Sequence, residues 1–284
     1  MRRLATAALL VGWVASGAGA FAAAPAAGSR LSFVSCPIVR DTKTVPCWLS
    51  EYEGEMYFLT LQTDVSAPVN PPWLGHKVLV EGVVSDEPSI CGGRVLKPVT
   101  LSVLPELDGS CNTMLPAEDR YNLTFEPPRP PGPSRGRLAF GDPTPRNAAA
   151  GGEGASRSFT LRYEFDGAVV FRHAQILQQI LDAANASHAT EVKITGYRSA
   201  SRLSNGTVMT ERENLDRQRA EQIRELLKGA GLTGVKYTLE WKDLAKRANG
   251  VDDAANRRAE VTVLTAHRDR DAAKPKDSSK PPGD

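Results

Sequence analysis

A stretch rich in proline and glycine, from residue 126 to about residue 157, divides this chain into two unlike halves. It begins with Pro127-Pro128-Arg129-Pro130-Pro131-Gly132-Pro133 and continues through Ala148-Ala149-Ala150-Gly151-Gly152. Proline makes the first part stiff and glycine makes the second part flexible. The stretch therefore predicts a linker between two domains, residues 31–125 and 158–265. It serves either as a spacer or as a tether that lets the domains bind in separate places.

The composition is that of ordinary globular domains. Hydrophobic residues make up 41% of the 284 residues and charged residues 24%, which is enough for conventional cores. The formal net charge is only +2. This balance argues against nucleic acid or an anionic membrane as the partner, because both select strongly basic surfaces.

The N-terminus has the pattern of an export signal. Arg2 and Arg3 precede an apolar stretch, Leu4–Gly17, and small residues follow in Ala18–Ala20 and again in Ala22–Ala24. This order is typical of a cleaved signal peptide, which we expect over residues 1–24. An uncleaved anchor is the alternative, but the apolar stretch is short for a membrane span. No cysteine lies at the end of the signal, so we expect no lipid anchor.

Four cysteines, Cys36, Cys47, Cys91 and Cys111, all lie in the N-terminal half. An even number in an exported segment predicts two disulfides, since the periplasm is oxidising. Three pairings are possible. We expect Cys36–Cys47 and Cys91–Cys111, because these close the shortest loops. A zinc site is the alternative, but no pair has Cys-x-x-Cys spacing and His76 is isolated, so we expect no metal.

The N-terminal half reads as a small all-β domain over residues 31–125. Three segments have strand character, Met56–Leu61, Lys77–Val84 and Val99–Leu104, with turn residues between them. The phrase Gly75–Val84 resembles an OB-fold strand, and such barrels often bind nucleic acid or sugars. Basic and aromatic residues are not clustered, which favours a structural module or one that docks another envelope protein.

The C-terminal half alternates strand and helix patterns in the order β-α-β-α-β-β, which predicts a two-layer sandwich and makes the chain α+β overall. Thr210 with Glu213 three positions later is typical of a capping box at the start of the second helix. Residues 266–284 are rich in Lys, Asp, Pro and Ser, which predicts a disordered tail. The periodic segments are Phe159–Phe165, Ile176–Ala184, Val192–Gly196, Thr210–Leu227, Val235–Trp241 and Ala259–Val263.

Two short runs in this half, Asn214–Ala220 and Asn256–Val261, resemble the signature of the OmpA-like peptidoglycan-binding domain. The resemblance covers roughly residues 159–263, and the family has the same order of strands and helices. It implies a module that binds the cell wall without a covalent bond. In the family, a strand ends in Gly-His-Thr-Asp and the following helix carries Asn-x-x-Leu-Ser-x-x-Arg-Ala. The aspartate holds the ammonium of diaminopimelate and the arginine holds its carboxylate.

Carried over residue by residue, the resemblance implies a ligand site of four residues. Arg219 matches the arginine of the helix, and Ser199 stands where the family has aspartate. Asn214 lies two positions from the family's asparagine, and Arg258 belongs to a segment that lies beside the pocket in the family. A serine supplies no charge for an ammonium, which weakens the match.

The loop from Ala200 to Met209 is longer than the family's, and it could bring in Glu211 or Glu213 as the missing anion. The simpler expectation is that Glu213 caps the helix and Glu211 is exposed to solvent.

These patterns predict a protein of the periplasm, associated with the cell wall or outer membrane, whose partner is peptidoglycan. The alternative is an OmpA-like fold that has lost murein binding and serves as an envelope scaffold. An enzyme is disfavoured, because the histidines lie in no recognisable triad and no paired acids stand in a motif. We expect no cofactor. The four histidines are His76, His173, His188 and His267.

Overall fold

The computed structural model describes residues 24–62, 71–121, 123, 156–168 and 174–264. The predicted signal peptide (apart from Ala24), most of the linker and the predicted tail lie outside these residues. No helix within the described ranges is long and apolar enough to cross a membrane.

The N-terminal half is built from strands, as its sequence predicts. A seven-stranded sheet has the order β1-β5-β6-β4-β3-β2-β7, with one short 3₁₀ turn at Asp119–Tyr121. The three segments with strand character correspond to β4, β5 and β6. The strands are β1 (Arg30–Ser35), β2 (Pro37–Arg40), β3 (Cys47–Tyr52), β4 (Glu55–Leu61), β5 (His76–Val84), β6 (Arg94–Leu107) and β7 (Thr113–Leu115).

The row of strands closes into a barrel because β1 and β2 are parts of one run, interrupted only at Cys36. The first part pairs antiparallel with β5 and the second with β3, while β4 and β6 pair in parallel at Tyr57 and Phe58. Five strand positions closed in this way are what the OB-like resemblance implies. The barrel interior is apolar and centres on Phe33, Tyr57 and Val80.

The expected local disulfides are wrong: the structure joins Cys36 to Cys111 and Cys47 to Cys91. Cys47 lies opposite Arg40 on the neighbouring strand. Cys36 is four residues further along that strand, roughly 13 Å away at the usual strand rise, whereas bonded cysteines need Cα atoms within about 7 Å. The observed Cα separations are 4.8 and 6.4 Å. Strand pairing, and not loop length, sets the pairing of the cysteines.

We expect peptide mapping of the oxidised protein to recover Cys36 linked to Cys111 and Cys47 linked to Cys91. The map is made without reductant after blocking free thiols, and a reduced and alkylated sample is the control. Peptides joining Cys36 to Cys47 would contradict the strand register described above.

The described part of the C-terminal half has the predicted order of elements with three additions, a β-hairpin, a short 3₁₀ turn at Ala245–Arg247 and a one-turn α-helix. Its four-stranded sheet runs β12-β9-β13-β8, with β9 and β12 parallel and β13 antiparallel to both its neighbours. The elements are β8 (Arg157–Arg162), α1 (Ala174–Ala186), β9 (Glu191–Arg198), β10 (Ala200–Arg202), β11 (Val208–Thr210), α2 (Leu215–Gly229), β12 (Lys236–Asp243), α3 (Asp253–Asn256) and β13 (Arg258–Leu264).

Helices α1 and α2 cover one face of this sheet, and their apolar stripes form its core with Ile180 and Ile223 at the centre. Gly196 permits the close approach of α2, since a Cβ at this position would lie 1.9 Å from the Asp216 carbonyl oxygen. Any larger residue here would push the helix off the sheet. Packing against α2 therefore requires glycine at position 196. The strand continues two residues past Gly196, where the sequence predicts its end, and closes at Arg198.

The predicted capping box at the start of α2 does not form. Thr210 lies in β11, paired with Ala200, and the helix begins only at Leu215. Asn214 precedes it in a left-handed conformation, with φ of 62°, and makes no side-chain cap. Thr210 is unavailable as a cap because the longer loop has folded into a hairpin.

The two halves pack against each other through this hairpin. Leu203 of the hairpin packs with Leu79 of the barrel and with Phe165. Ser32 of the barrel donates its backbone N–H to the Ser204 hydroxyl and accepts from the Ser204 N–H. An apolar cluster bordered by reciprocal hydrogen bonds makes a defined interface. The tether interpretation, in which the domains act apart, does not describe this arrangement.

Cleavage within residues 126–157, where the sequence predicts protease sensitivity, should therefore leave two fragments that stay together. Neither disulfide links the halves, so only the interface would hold them. Limited proteolysis followed by gel filtration should give one peak containing both fragments, and two separate peaks would contradict the interface. Substitution of Leu203 by Asp should separate the fragments, whereas Val208→Asp, at an exposed position of the same hairpin, should not.

Candidate functional site

Arg219 of α2, the arginine of the motif, is fully buried. Its guanidinium grips both oxygens of Glu211, with Nη2 to Oε1 at 2.7 Å and Nη1 to Oε2 at 3.0 Å. It also donates to the carbonyl oxygens of Tyr197 at 2.6 Å and Gly167 at 3.0 Å. Such a two-pronged contact is the strong form of an arginine–carboxylate pair. Arg219 thus binds a carboxylate, but the carboxylate belongs to its own chain.

Glu211 is 1% exposed, so the expectation that it faces solvent is wrong. Besides Arg219, its carboxylate accepts the backbone N–H of Ser199 at 2.8 Å and of Asp166 at 3.1 Å. The hairpin turns the chain back so that Glu211 reaches the end of β9. Burial of a charged pair is tolerated here because each group has a full set of hydrogen bonds.

Ser199, at the family's aspartate position, is fully buried beside this pair. Its hydroxyl bonds the neighbouring Ala200 carbonyl oxygen at 3.3 Å. The predicted role of Arg219 and Ser199, an open clamp for an external ammonium and carboxylate, is not what the structure presents, because neither side chain reaches solvent.

Arg258 lies on the sheet face opposite α2, since side chains alternate along a strand and Gly196 beside Tyr197 faces the helix. Its guanidinium stacks 4.3 Å from the Tyr197 ring centroid and pairs with Glu260 at 2.7 Å. The Tyr197 hydroxyl donates to Glu260 at 2.6 Å. Burial and this bond raise the pKa of Tyr197 to about 12. Burial alone would raise the pKa of Glu260, but its bonds to Tyr197 and Arg258 outweigh that and lower it.

Asn214 lies elsewhere again, at the rim of an open pocket of about 320 Å³ beside the first turn of α2. Arg198 reaches across the rim to Asp243 at 2.6 Å. Arg217 lies 5.7 Å from the ring centroid of Trp241, whose exposed fraction is 53%. The pocket is lined by Arg198, Glu213, Asn214, Asp216, Arg217, Trp241 and Asp243. The four predicted site residues are therefore in three places, two in the interior and two at separate surfaces.

A second buried ion pair, which the sequence did not reveal, crosses between the halves. Arg257 is fully buried and pairs with Glu81 of β5 in the barrel. Ser201 of the hairpin binds both partners, accepting from Arg257 at 2.8 Å and donating to Glu81 at 2.9 Å. Arg257 belongs to the second motif, Asn256–Val261, so the sequence alone singled out its position. The sequence could not identify Glu81 as its partner, because 176 residues separate the two.

Within the part of the chain that the structure describes, no group of three or more histidine, cysteine, aspartate or glutamate residues could hold a metal ion. The chemistry available in both buried pairs and in the open pocket is recognition of charged groups by arginine and carboxylate.

Comparison with known proteins gives partial structural similarities only. No family model and no curated protein matches the chain. The cell wall anchor of the T6SS from Pseudomonas aeruginosa is 21% identical over 40% of this chain and 89% of its own, with a TM-score of 0.30. The OmpA-like domain of FopA1 from Francisella tularensis subsp. tularensis SCHU S4 is 17% identical over 40% and 75%, with a TM-score of 0.31.

Replacing Arg219 by Ala should destabilise the protein, because it leaves the Glu211 carboxylate buried without its partner. Loss of one member of such a pair costs about 3–5 kcal/mol. Ser199→Asp should destabilise as well, since it places a second carboxylate against Glu211. Urea unfolding measures both.

The matched control is Arg224→Ala, on the same helix, which removes an exposed pair with Glu225 and should cost less than about 1 kcal/mol. The double variant Arg219→Met, Glu211→Leu should be more stable than Arg219→Ala. Equal stability of Arg219→Ala and wild type would contradict the structural role of the pair.

Proposed function

We propose that this chain is an exported cell-envelope protein that associates with peptidoglycan through its C-terminal domain, as a binding protein and not an enzyme. The contact is made at the open pocket beside α2 and not at Arg219. The pocket's mixed charge at an accessible position is the observation that carries this proposal. Arg219 and Ser199, the site that the motif predicts, are buried, so a polymer cannot contact them.

The chemistry of the pocket suits a ligand that carries both an ammonium and a carboxylate, as the diaminopimelate of the OmpA-like resemblance does. Arg217 offers a planar cation that suits carboxylates. Glu213 offers an anion, and among the described residues it has no hydrogen bond or ion pair. Trp241 supplies an exposed apolar face for the aliphatic part of such a side chain. The first turn of α2 adds a partial positive charge.

A second function, an envelope scaffold without murein binding, is favoured by the pair of Arg219 and Glu211. In this alternative the motif arginine only stabilises the fold, and the domain presents the barrel to another envelope protein. Sedimentation with purified murein separates the two functions.

Wild-type protein should sediment with murein sacculi, and Arg217→Glu should lose at least about tenfold in affinity. The substitution reverses the charge that meets the ligand carboxylate. Tenfold corresponds to about 1.4 kcal/mol, just below the range of about 1.5–3 kcal/mol for one charged hydrogen bond. Trp241→Ala should also weaken sedimentation, because the ligand loses its apolar contact.

The control for Arg217→Glu is Arg224→Glu, which lies seven residues along α2, on the same side and two turns from the pocket. Arg217 pairs with Glu221 at 2.8 Å and Arg224 pairs with Glu225 at 2.6 Å, so both variants replace the arginine of a helix ion pair and make the same change of charge. Equal losses for the two would indicate a general charge effect. Wild-type protein that stays in the supernatant would reject murein binding and leave the scaffold function.

A further inference from the structure

We propose that Arg257 and Ser201 form a carboxylate-binding site that the barrel fills from within the same chain, with Glu81 as the built-in ligand. Displacement of the barrel opens this site to an external carboxylate. The site is distinct from the pocket beside α2, and the inference does not depend on murein binding.

The geometry around Arg257 is that of a recognition site. Its guanidinium meets the Glu81 carboxylate through both terminal nitrogens, and the Ser201 hydroxyl joins the two. The Phe165 ring lies 5.9 Å from the guanidinium carbon. A carboxylate bound by a planar cation and a hydroxyl, with an aromatic ring beside the cation, makes a specific binding arrangement. A replacement carboxylate would find the same three groups.

Arg257 also has binding capacity that the barrel does not use. Its Nε is buried and has no hydrogen-bond partner in the described part of the chain. A buried donor without an acceptor is unfavourable, so Glu81 satisfies the guanidinium incompletely. A carboxylate that is free to rotate could approach Nε as well. The Glu81 carboxylate does not bond Nε, because its two oxygens are engaged by the terminal nitrogens and by Ser201.

The path to the site runs along the seam between the halves. Glu81 lines a cavity of about 100 Å³ between the barrel strands and residues 250–254. The Glu81 side chain keeps 11% exposure, whereas that of Arg257 has none. Glu81 is thus more accessible to solvent than Arg257. This accessibility is expected if an external carboxylate is to replace Glu81.

The neighbouring pair keeps the C-terminal domain folded when the barrel moves. The backbone N–H of Ser199 donates to Glu211, the partner of Arg219, whereas the hydroxyl of Ser201, two residues on, bonds both Glu81 and Arg257. Only the second pair includes a barrel residue. Opening of the interface should therefore expose Arg257 and leave Arg219 protected, which distinguishes domain separation from unfolding.

The test is modification of arginine by phenylglyoxal in the full chain, followed by peptide mass mapping. In wild type both Arg219 and Arg257 should be protected. In Glu81→Gln, which keeps the shape and removes the charge, Arg257 should react at least about tenfold faster while Arg219 stays protected. Glu51→Gln, an exposed position on the same barrel, is the control and should match wild type.

A second variant covers the case in which Glu81→Gln stays closed through its remaining contacts. Leu203→Asp removes the apolar centre of the interface, and Val208→Asp on the same hairpin is its control. In an opened variant, millimolar glutarate should slow the modification of Arg257, whereas neutral glutaramide should not.

Three results would overturn the proposal. One is Arg257 as reactive in wild type as in the variants. Another is Arg257 still protected in both Glu81→Gln and Leu203→Asp. The third is equal protection by glutarate and glutaramide. None of these readouts involves murein, so their outcome does not depend on the function proposed above.

Discussion

The buried pair of Arg219 and Glu211 determines much of the arrangement of the C-terminal domain. A guanidinium with no access to water needs a hydrogen-bond acceptor for each of its N–H groups. The chain supplies one carboxylate and several carbonyl oxygens. Those partners come from the strand end, from the segment after β8 and from the loop before α2. The pair therefore fixes three segments of the chain, and the hairpin lies between two of them, the end of β9 and the loop before α2.

The hairpin connects the pair of Arg219 and Glu211 with the barrel. Ser199 lies at its base and Ser201 within it, and each bonds a different buried carboxylate. Because the two carboxylates belong to different halves, one short strand connects two charged pairs. Leu203 adds the apolar contact next to them. A loop that is longer than the family pattern has become the main contact between the domains.

Local patterns in the sequence predicted the strands β4 to β6 and the alternation of the C-terminal half, because periodicity reports which face of an element is buried. Gly196 and Arg219 were also placed correctly on their elements by the motif. The disulfides were not, since loop length carries no information about strand register. The burial of Glu211 depends on how the loop folds, and the pairing of Glu81 with Arg257 depends on how two domains meet. Neither feature can be predicted from a short segment of the sequence.

The two halves are joined by one linker and by no disulfide. A linker with the flexibility that the sequence predicts would hold the partners at an effective concentration in the millimolar range. The barrel is thus a competitor that cannot diffuse away, and Glu81 is always present near Arg257 at that concentration. Any carboxylate in the surroundings must exceed this local supply before it is bound. For the carboxylate-binding site proposed above, this connection predicts insensitivity to dilute small acids.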